Sequence, residues 1–345
     1  MSLTPKTPIP EGAIRYNTDS NKMEVWIGDK WMIVATSSPN LGDSQSVASG
    51  RGLLAGGNPG TNQIEYITIA SMGDAINFGD LQNAASLNAS GGSHIRALHT
   101  IGTTSHNNTI EFTTISTLGD AANFGDITEN RRNTACGGNR TRMLICGGVF
   151  GSNPYSYKDE IDFVTISQLG DTIDFGDMQE GRTGVAIAST QTRVYMMGGY
   201  DSSSPNATNH IEYVTIGSTG NSIDFGDLRR PNNGSGSASC SNGTRGFVFG
   251  GRDDASTTHN DIEKVELSTR GNSTRFGDLT QTLRFGSGTS DKTRGVRIGG
   301  YISPGDTENM DYITMSTEGN AIDFGDLGRA TRSLGTSTSN AHGGL

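Results

Sequence analysis

A Phe-Gly-Asp triplet returns six times along the chain, at Phe78–Asp80, Phe124–Asp126, Phe175–Asp177, Phe225–Asp227, Phe276–Asp278 and Phe324–Asp326. The spacings are 46, 51, 50, 51 and 48 residues. Chance does not repeat a tripeptide at so even a period. The chain is therefore an array of units of about fifty residues, each too small to bury its own apolar face alone. Upstream of each triplet lies an alternating segment, clearest in Ile64–Ile69, Ile161–Ile166 and Ile211–Ile216 and most degraded in Lys264–Leu267. Its β-branched and aromatic residues, over about six positions, predict a strand. An earlier strand ends in paired glycines, Gly56-Gly57, Gly147-Gly148, Gly198-Gly199, Gly250-Gly251 and Gly299-Gly300, with Ile101-Gly102-Thr103 as the departure in the second unit. Such pairs suit positive φ or close backbone approach. After each triplet comes a segment of small residues, as in Thr183–Ala188.

Four short strands per unit, six times over, predict an all-β chain built as a six-bladed β-propeller. Composition agrees: 49 glycines and 32% apolar residues in 345 suit thin β-layers with many turns, and are too poor in apolar residues for a doubly wound α/β fold. An open solenoid fits less well, because the units are long and the loops after the glycine pairs uneven. The paired glycines followed by an aromatic-bearing strand resemble kelch repeats, without the kelch tryptophan. The first unit lacks its small-residue strand, and Arg332–Ser337 is expected to supply it and close the ring. The organisation expected is an N-terminal β-meander over residues 1–36, a linker over 37–46 and the propeller over 47–345.

Charges recur with the unit. An arginine stands five residues before the glycine pair, at Arg51, Arg142, Arg193, Arg245 and Arg294, with Arg96 in the second unit. An acid is second in the alternating strand, at Glu65, Glu111, Asp162, Glu212, Glu263 and Asp311. Repetition in every unit points to a scaffold role, with arginine and carboxylate pairing within or between blades. A ring of arginines at one channel mouth, holding an anionic sugar, is the functional alternative. The triplet's Gly-Asp reads as a turn in which the aspartate bonds its own backbone.

No catalytic motif emerges: there is no Gly-x-Ser-x-Gly elbow, no P-loop and no His-Glu-x-x-His. His94, His99, His106, His210, His259 and His342 are scattered over unequal positions, and no calcium loop is present, so neither metal nor cofactor is expected. Cys136, Cys146 and Cys240 have no metal spacing and read as small core residues of a reduced compartment. A net charge of −10 argues against nucleic acid as partner. Met1 to Gly12 has no apolar run of a signal peptide, and no segment is long enough for a transmembrane helix.

Before residue 40 the repeat is absent. Gly12–Asn17, Met23–Ile27 and Trp31–Val34 read as a three-strand meander, joined by turns at Asn17–Asn21 and Gly28-Asp29. It carries both tryptophans, Trp26 and Trp31, and is too small to bury them; Tyr16, Trp26 and Trp31 are the expected anchoring surface. Pro10 to Trp26 resembles a segment common in tailed-phage fibre and virion proteins. Ile211 to Leu228 is similar to repeats of virion structural proteins of marine phages, cyanophages especially. The resemblance implies a virion-borne fibre, spike or capsid decoration, homo-oligomeric and attached to other virion proteins through its N-terminal segment. Its variable loops would face a host-surface glycan, with Tyr155, Tyr157, Tyr200 and Tyr301 as candidate contacts. A glycan depolymerase and a decoration protein without external ligand are the other readings.

Overall fold

The computed structural model describes residues 9–17, 22–33, 50–102, 108–151, 155–201, 207–232, 238–331 and 337–345. The linker 37–46, Thr103, His106 and residues 332–336 lie outside them. Every regular element among the described residues is a strand. The chain divides into two compact units, Met1–Gln45 and Ser46–Leu345.

The first unit is the expected meander, with strands Ile14–Asn17, Lys22–Ile27 and Lys30–Ile33. Ile27 pairs with Lys30 across a two-residue turn, where Gly28 takes φ 67, the primed geometry of tight hairpins. Alternation sorts the side chains onto two faces. On one, Arg15 bonds Glu24 at 2.8 Å and lies 4.2 Å over the Trp31 ring, which meets Trp26 edge-on at 5.3 Å. On the other are Ile14, Tyr16, Met23, Val25 and Met32, cross-strand neighbours by register.

The second unit holds six four-stranded antiparallel sheets. We number them 1 to 6 and letter their strands a to d. Sheet 1 is Thr338–Ser339, Arg51–Ala55, Thr61–Thr68 and Ile76–Ala85. Sheet 2 is Ala89–Gly92, Arg96–Thr100, Thr109–Thr114 and Ala122–Asp126. Sheet 3 is Ala135–Gly138, Arg142–Cys146, Glu160–Thr165 and Ile173–Asp177. Sheet 4 is Ala186–Ser189, Arg193–Tyr200, Ala207–Thr215 and Ile223–Asn232. Sheet 5 is Ala238–Ser241, Arg245–Arg252, Thr258–Glu266 and Thr274–Asp278. Sheet 6 is Ser287–Ser290, Arg294–Ile302, Gly305–Thr314 and Ile322–Thr331. The strand that completes sheet 1 from the far end of the chain is Thr338–Ser339, paired with Leu53 and Gly52. It lies just beyond the Arg332–Ser337 expected from sequence.

Six apolar clusters fill the spaces between consecutive sheets. Each draws its side chains from two neighbours, as with Phe163 and Phe175 of sheet 3 against Val194 and Val214 of sheet 4. The sixth joins Val296 and Phe324 of sheet 6 to Leu54 and Ile67 of sheet 1. Alternate faces of each sheet therefore serve different cores, which is why strand b is buried on both faces, as in Arg142–Cys146. The a strands touch one another in the same order, with Thr338–Ser339 against both Ser287–Ser290 and Ala89–Gly92. They are small because neighbouring backbones are close: a Cβ on Gly288 would meet the Ser239 carbonyl at 2.4 Å. Serine hydroxyls stitch them, Ser241 Oγ donating to the Ser189 carbonyl and Ser339 Oγ to that of Ser290.

The triplet lies within strand d, at a bulge, and not in a turn. Its phenylalanine is buried in every copy. Its glycine lets the next sheet approach: a Cβ at Gly79, Gly125, Gly176, Gly226, Gly277 or Gly325 would come within 2.0 to 2.6 Å of backbone at Gly119, Gly170, Gly220, Gly271, Gly319 or Gly73. The aspartate works through its main chain. Asp80 N–H donates to Asp120 Oδ1 at 3.0 Å while the Phe78 and Asp80 carbonyls accept from Gly119 and Ala121. The same three bonds recur from each sheet to the next, ending with Asp326 of sheet 6 on Asp74 of sheet 1. The aspartate side chains have differing partners, Arg275 for Asp278 and Asn309 for Asp326.

The repeated arginines do not pair with the repeated acids. Arg51, Arg96, Arg142, Arg245 and Arg294 each donate Nη1 to a carbonyl of the following sheet, Ile115, Ile166, Ile216, Met315 and Ile69 respectively. Four of them, with Arg193, also lie 4.5 to 4.9 Å over an aromatic ring of their own strand c, a cation–π contact. Sheet 5 has Lys264 in place of that ring, and Arg245 takes Glu266 instead. The acids, all buried, accept from the residue two places after the preceding sheet's triplet. Gly328, Gln82, Gln179 and Arg229 donate backbone N–H to Glu65, Glu111, Glu212 and Glu263, and Thr128 and Thr280 donate hydroxyls to Asp162 and Asp311.

Three buried arginines outside the repeated positions compensate these carboxylates, and a fourth, Arg329, lies 3.9 Å from Glu65. Arg131 reaches Asp162 at 2.6 Å, Arg182 pairs with Glu212 and Arg297 with Asp311. All three are buried; burial brings the Arg182 guanidinium down to about 10 and pushes the Asp162 carboxyl up. In sheet 2 the position of Arg297 is occupied by His99, fully buried between Ser90 Oγ at 2.8 Å and Thr113 Oγ1 at 3.3 Å. Burial lowers it to about 4 from 6.5. The unfolded chain thus binds a proton that the folded chain refuses between those values, so stability is full above pH 6.5 and falls as pH drops towards 4. The expected loss is ~3 kcal/mol from this group. Urea midpoints at pH 7 and 4.5 should converge in His99→Gln relative to the unsubstituted chain; an equal acid loss in both would show that His99 does not drive it.

Candidate functional site

The segments after the glycine pairs differ in length and side chains from unit to unit. In sheets 3 to 6 all eight glycines of those pairs have φ between 56 and 129, left-handed values that glycine adopts without a Cβ clash. In sheets 4 to 6 the pair forms a bulge within strand b, and in sheets 3, 4 and 6 a residue after the pair bridges to the segment following the preceding sheet's triplet. Val149 bridges Arg132, Tyr200 bridges Thr183 and Tyr301 bridges Arg284.

Three of the four sequence-chosen tyrosines come together at the boundary of sheets 3 and 4. Tyr157, on the short hairpin Val149–Phe150 and Ser156–Tyr157, lies 5.6 Å from the Tyr200 ring. Tyr155 is 45% exposed and carries the Arg132 guanidinium 5.4 Å over its ring. Burial, with Tyr200 beside it, pushes the Tyr157 phenol up. Tyr301 is apart, between sheets 5 and 6, its ring 4.9 Å beneath Arg284. There it borders a cleft of about 420 Å3 that also takes in Arg252, Thr258 and Thr282. Sequence reasoning missed Arg252 and Arg284; the signal was available in Arg252 itself, which stands directly after a glycine pair where sheets 4 and 6 have tyrosine.

Between the a strands is a cavity of about 40 Å3, lined by Ser90, Ser189, Ser241, Ser290 and His342 among others. It has room for water, not for a sugar. His342 Nε2 lies 2.9 Å from the Gly92 carbonyl, and a Cβ on Gly344 would meet the Gly138 carbonyl at 1.9 Å, so the last residues pack tightly against sheets 2 and 3. Five of the six repeat arginines direct Nη1 to a carbonyl of the neighbouring sheet rather than to an open mouth.

Among the described residues no group of three or more His, Cys, Asp or Glu could hold a metal ion. Cys136, Cys146 and Cys240 are buried and form no disulfide, and burial raises all three thiols, Cys146 to about 12, far from the reactive thiolate range. No helix is long and apolar enough to cross a membrane among the described residues. No protein-family model and no curated protein matches the chain in sequence.

In the first unit, Trp26 and Trp31 lie on the face closed by Arg15, whereas Tyr16 lies on the opposite one. That second face is the exposed one: Ile14 is 64%, Tyr16 54%, Met23 42% and Met32 44% exposed. The apolar surface of this sheet is thus centred on Ile14, Tyr16 and Met23, not on the tryptophans.

Proposed function

We propose that the six sheets are the blades of a kelch-like six-bladed β-propeller, and that the chain is a structural protein of a phage particle. Its N-terminal sheet attaches to other virion proteins, copies of the chain associate there, and the propeller presents its loops to host-surface glycan. The propeller reading is supported by the equal bonding of each sheet to the next, the sixth to the first included. The observation that carries the attachment is the exposed row Ile14, Tyr16, Met23 and Met32 on a separate compact unit, since a three-stranded sheet with one apolar face is stable when that face is covered. The motif from Pro10 to Trp26 and the triplet repeats supply the link to virion proteins.

Antibody against the second unit, applied to purified particles and viewed by electron microscopy, should label the particle surface at fixed places. Particles that carry none of the protein by this label and by peptide mass spectrometry would overturn the reading.

A further inference from the structure

The cleft between sheets 5 and 6 is unlike the other sheet boundaries. Behind the glycine pairs of sheets 1, 3, 4, 5 and 6 stand Asn58, Val149, Tyr200, Arg252 and Tyr301, so a cation occupies this place once among them. Arg252 is half-buried. Its Nε is buried with no hydrogen-bond partner, and among the described residues it has no ion pair. A half-buried guanidinium without an ion pair is open to an anionic ligand. No acidic side chain lines the cleft. The acids next in sequence are already engaged: Asp253 holds His259 Nε2 at 3.0 Å and the Thr257 N–H at 2.8 Å, and Asp254 accepts from the Ala207 N–H at 2.7 Å.

Tyr301 lines the same cleft, together with Arg284, whose guanidinium lies 4.9 Å over one face of its ring. Tyr301 is fixed through its main chain, its N–H donating to the Arg284 carbonyl at 2.7 Å and its carbonyl accepting from Arg284 at 3.2 Å. Thr258, Thr282 and Ser303 add hydroxyls around the rim. A guanidinium fork for a planar anion, a ring face for the apolar side of a pyranose and hydroxyls for its polar edge form a complementary set. A volume of about 420 Å3 falls within the usual size of small-ligand sites.

We infer that this cleft binds an acidic saccharide, Arg252 receiving the anionic group of a uronic or sulfated sugar whose ring rests against Tyr301. The inference rests on the glycan-presenting reading above and narrows it to one boundary and one ligand class. Titration calorimetry on the full chain would use three oligosaccharides of equal length: an oligogalacturonate, a sulfated galactan fragment and a neutral galacto-oligosaccharide. At least one acidic oligomer should bind ten or more times tighter than the neutral one. Arg252→Gln should lose tenfold or more of that affinity with an unchanged melting temperature, as expected for one charge-assisted contact. The tighter of the two acidic arms identifies the anionic group. Unchanged affinity in Arg252→Gln, equal binding of the neutral oligomer, or binding of none would each overturn the site. None of those results touches the virion reading, which the particle labelling decides.

Discussion

Replacing Arg182 by methionine is expected to destabilise the protein by about 3–5 kcal/mol, because it strands the Glu212 carboxylate in a buried place. Arg182 emerges after the triplet of sheet 3 and crosses to sheet 4, where Nη1 donates to the Gly198 carbonyl at 2.8 Å and Nη2 meets Glu212. Both side chains are nearly inaccessible, at 1% and 2%. The partner variant, Glu212→Gln, should cost a comparable amount by leaving the guanidinium uncompensated while keeping an acceptor for the Gln179 N–H. The two changes together should cost clearly less than their sum, with a coupling of about 2 kcal/mol or more in a double-mutant cycle by urea unfolding. Single losses below about 1 kcal/mol would mean that water reaches the pair and that it does little for the joint between the sheets.

The second large effect belongs to Gly277→Ala. The new methyl would lie 2.0 Å from the Gly319 carbonyl of sheet 6, a distance at which backbone must move. Parting the two sheets weakens the bonds from Gly319 N–H to Phe276 and from Ala321 N–H to Asp278, at 3.3 and 2.8 Å. Overpacking and the weakened bonds together give about 3 kcal/mol. Gly319→Ala, on the other side of the same contact, projects its methyl into open space and should be nearly neutral. If the two variants melt at the same temperature, the approach of backbones is not what fixes glycine in the triplet.

Much of this architecture was legible because repetition averages out the ambiguity of any single strand. The even spacing of six triplets fixed how many sheets there are, and the glycine pairs marked where strand b bends. What the triplet does was not legible, since its partner lies some 45 residues further on, in another sheet. A trace was nonetheless present: Gly73-Asp74, Gly119-Asp120, Gly170-Asp171, Gly220-Asn221, Gly271-Asn272 and Gly319-Asn320 each stand five residues before a triplet, and these are the turns that receive it.

The partners of the repeated arginines are hidden in the sequence for a different reason. A cation in a sequence suggests an anion as its partner, but here the acceptors are carbonyls, which every residue possesses and which no pattern marks. The aromatic ring beneath each arginine was visible, at Tyr66, Phe112, Phe163, Tyr213 and Tyr312, and its loss at Lys264 coincides with the one unit whose alternation is weakest. Arg131 and Arg182 stand one triplet spacing apart, 51 residues, but the other units have Ala85, Asn232, Leu283 and Thr331 at that place, and Arg297 replaces an apolar residue of strand b. At the candidate site, the loop position of Tyr155, Tyr157, Tyr200 and Tyr301 carries no trace of the fact that three of them crowd one boundary while the fourth shares a cleft with two arginines.

Sheet 1 is assembled from segments of which Arg51 and Asn340, hydrogen-bonded at 2.7 Å, are 289 residues apart. During synthesis the other five sheets can pair from local hairpins as they leave the ribosome, but this one waits for Thr338–Ser339 to emerge. Until then the chain carries an unmatched edge and an uncovered apolar flank, the state most open to joining a neighbour on the same message. A late clasp of this kind makes the completion of sheet 1 also the step that protects a nascent protein from its own siblings.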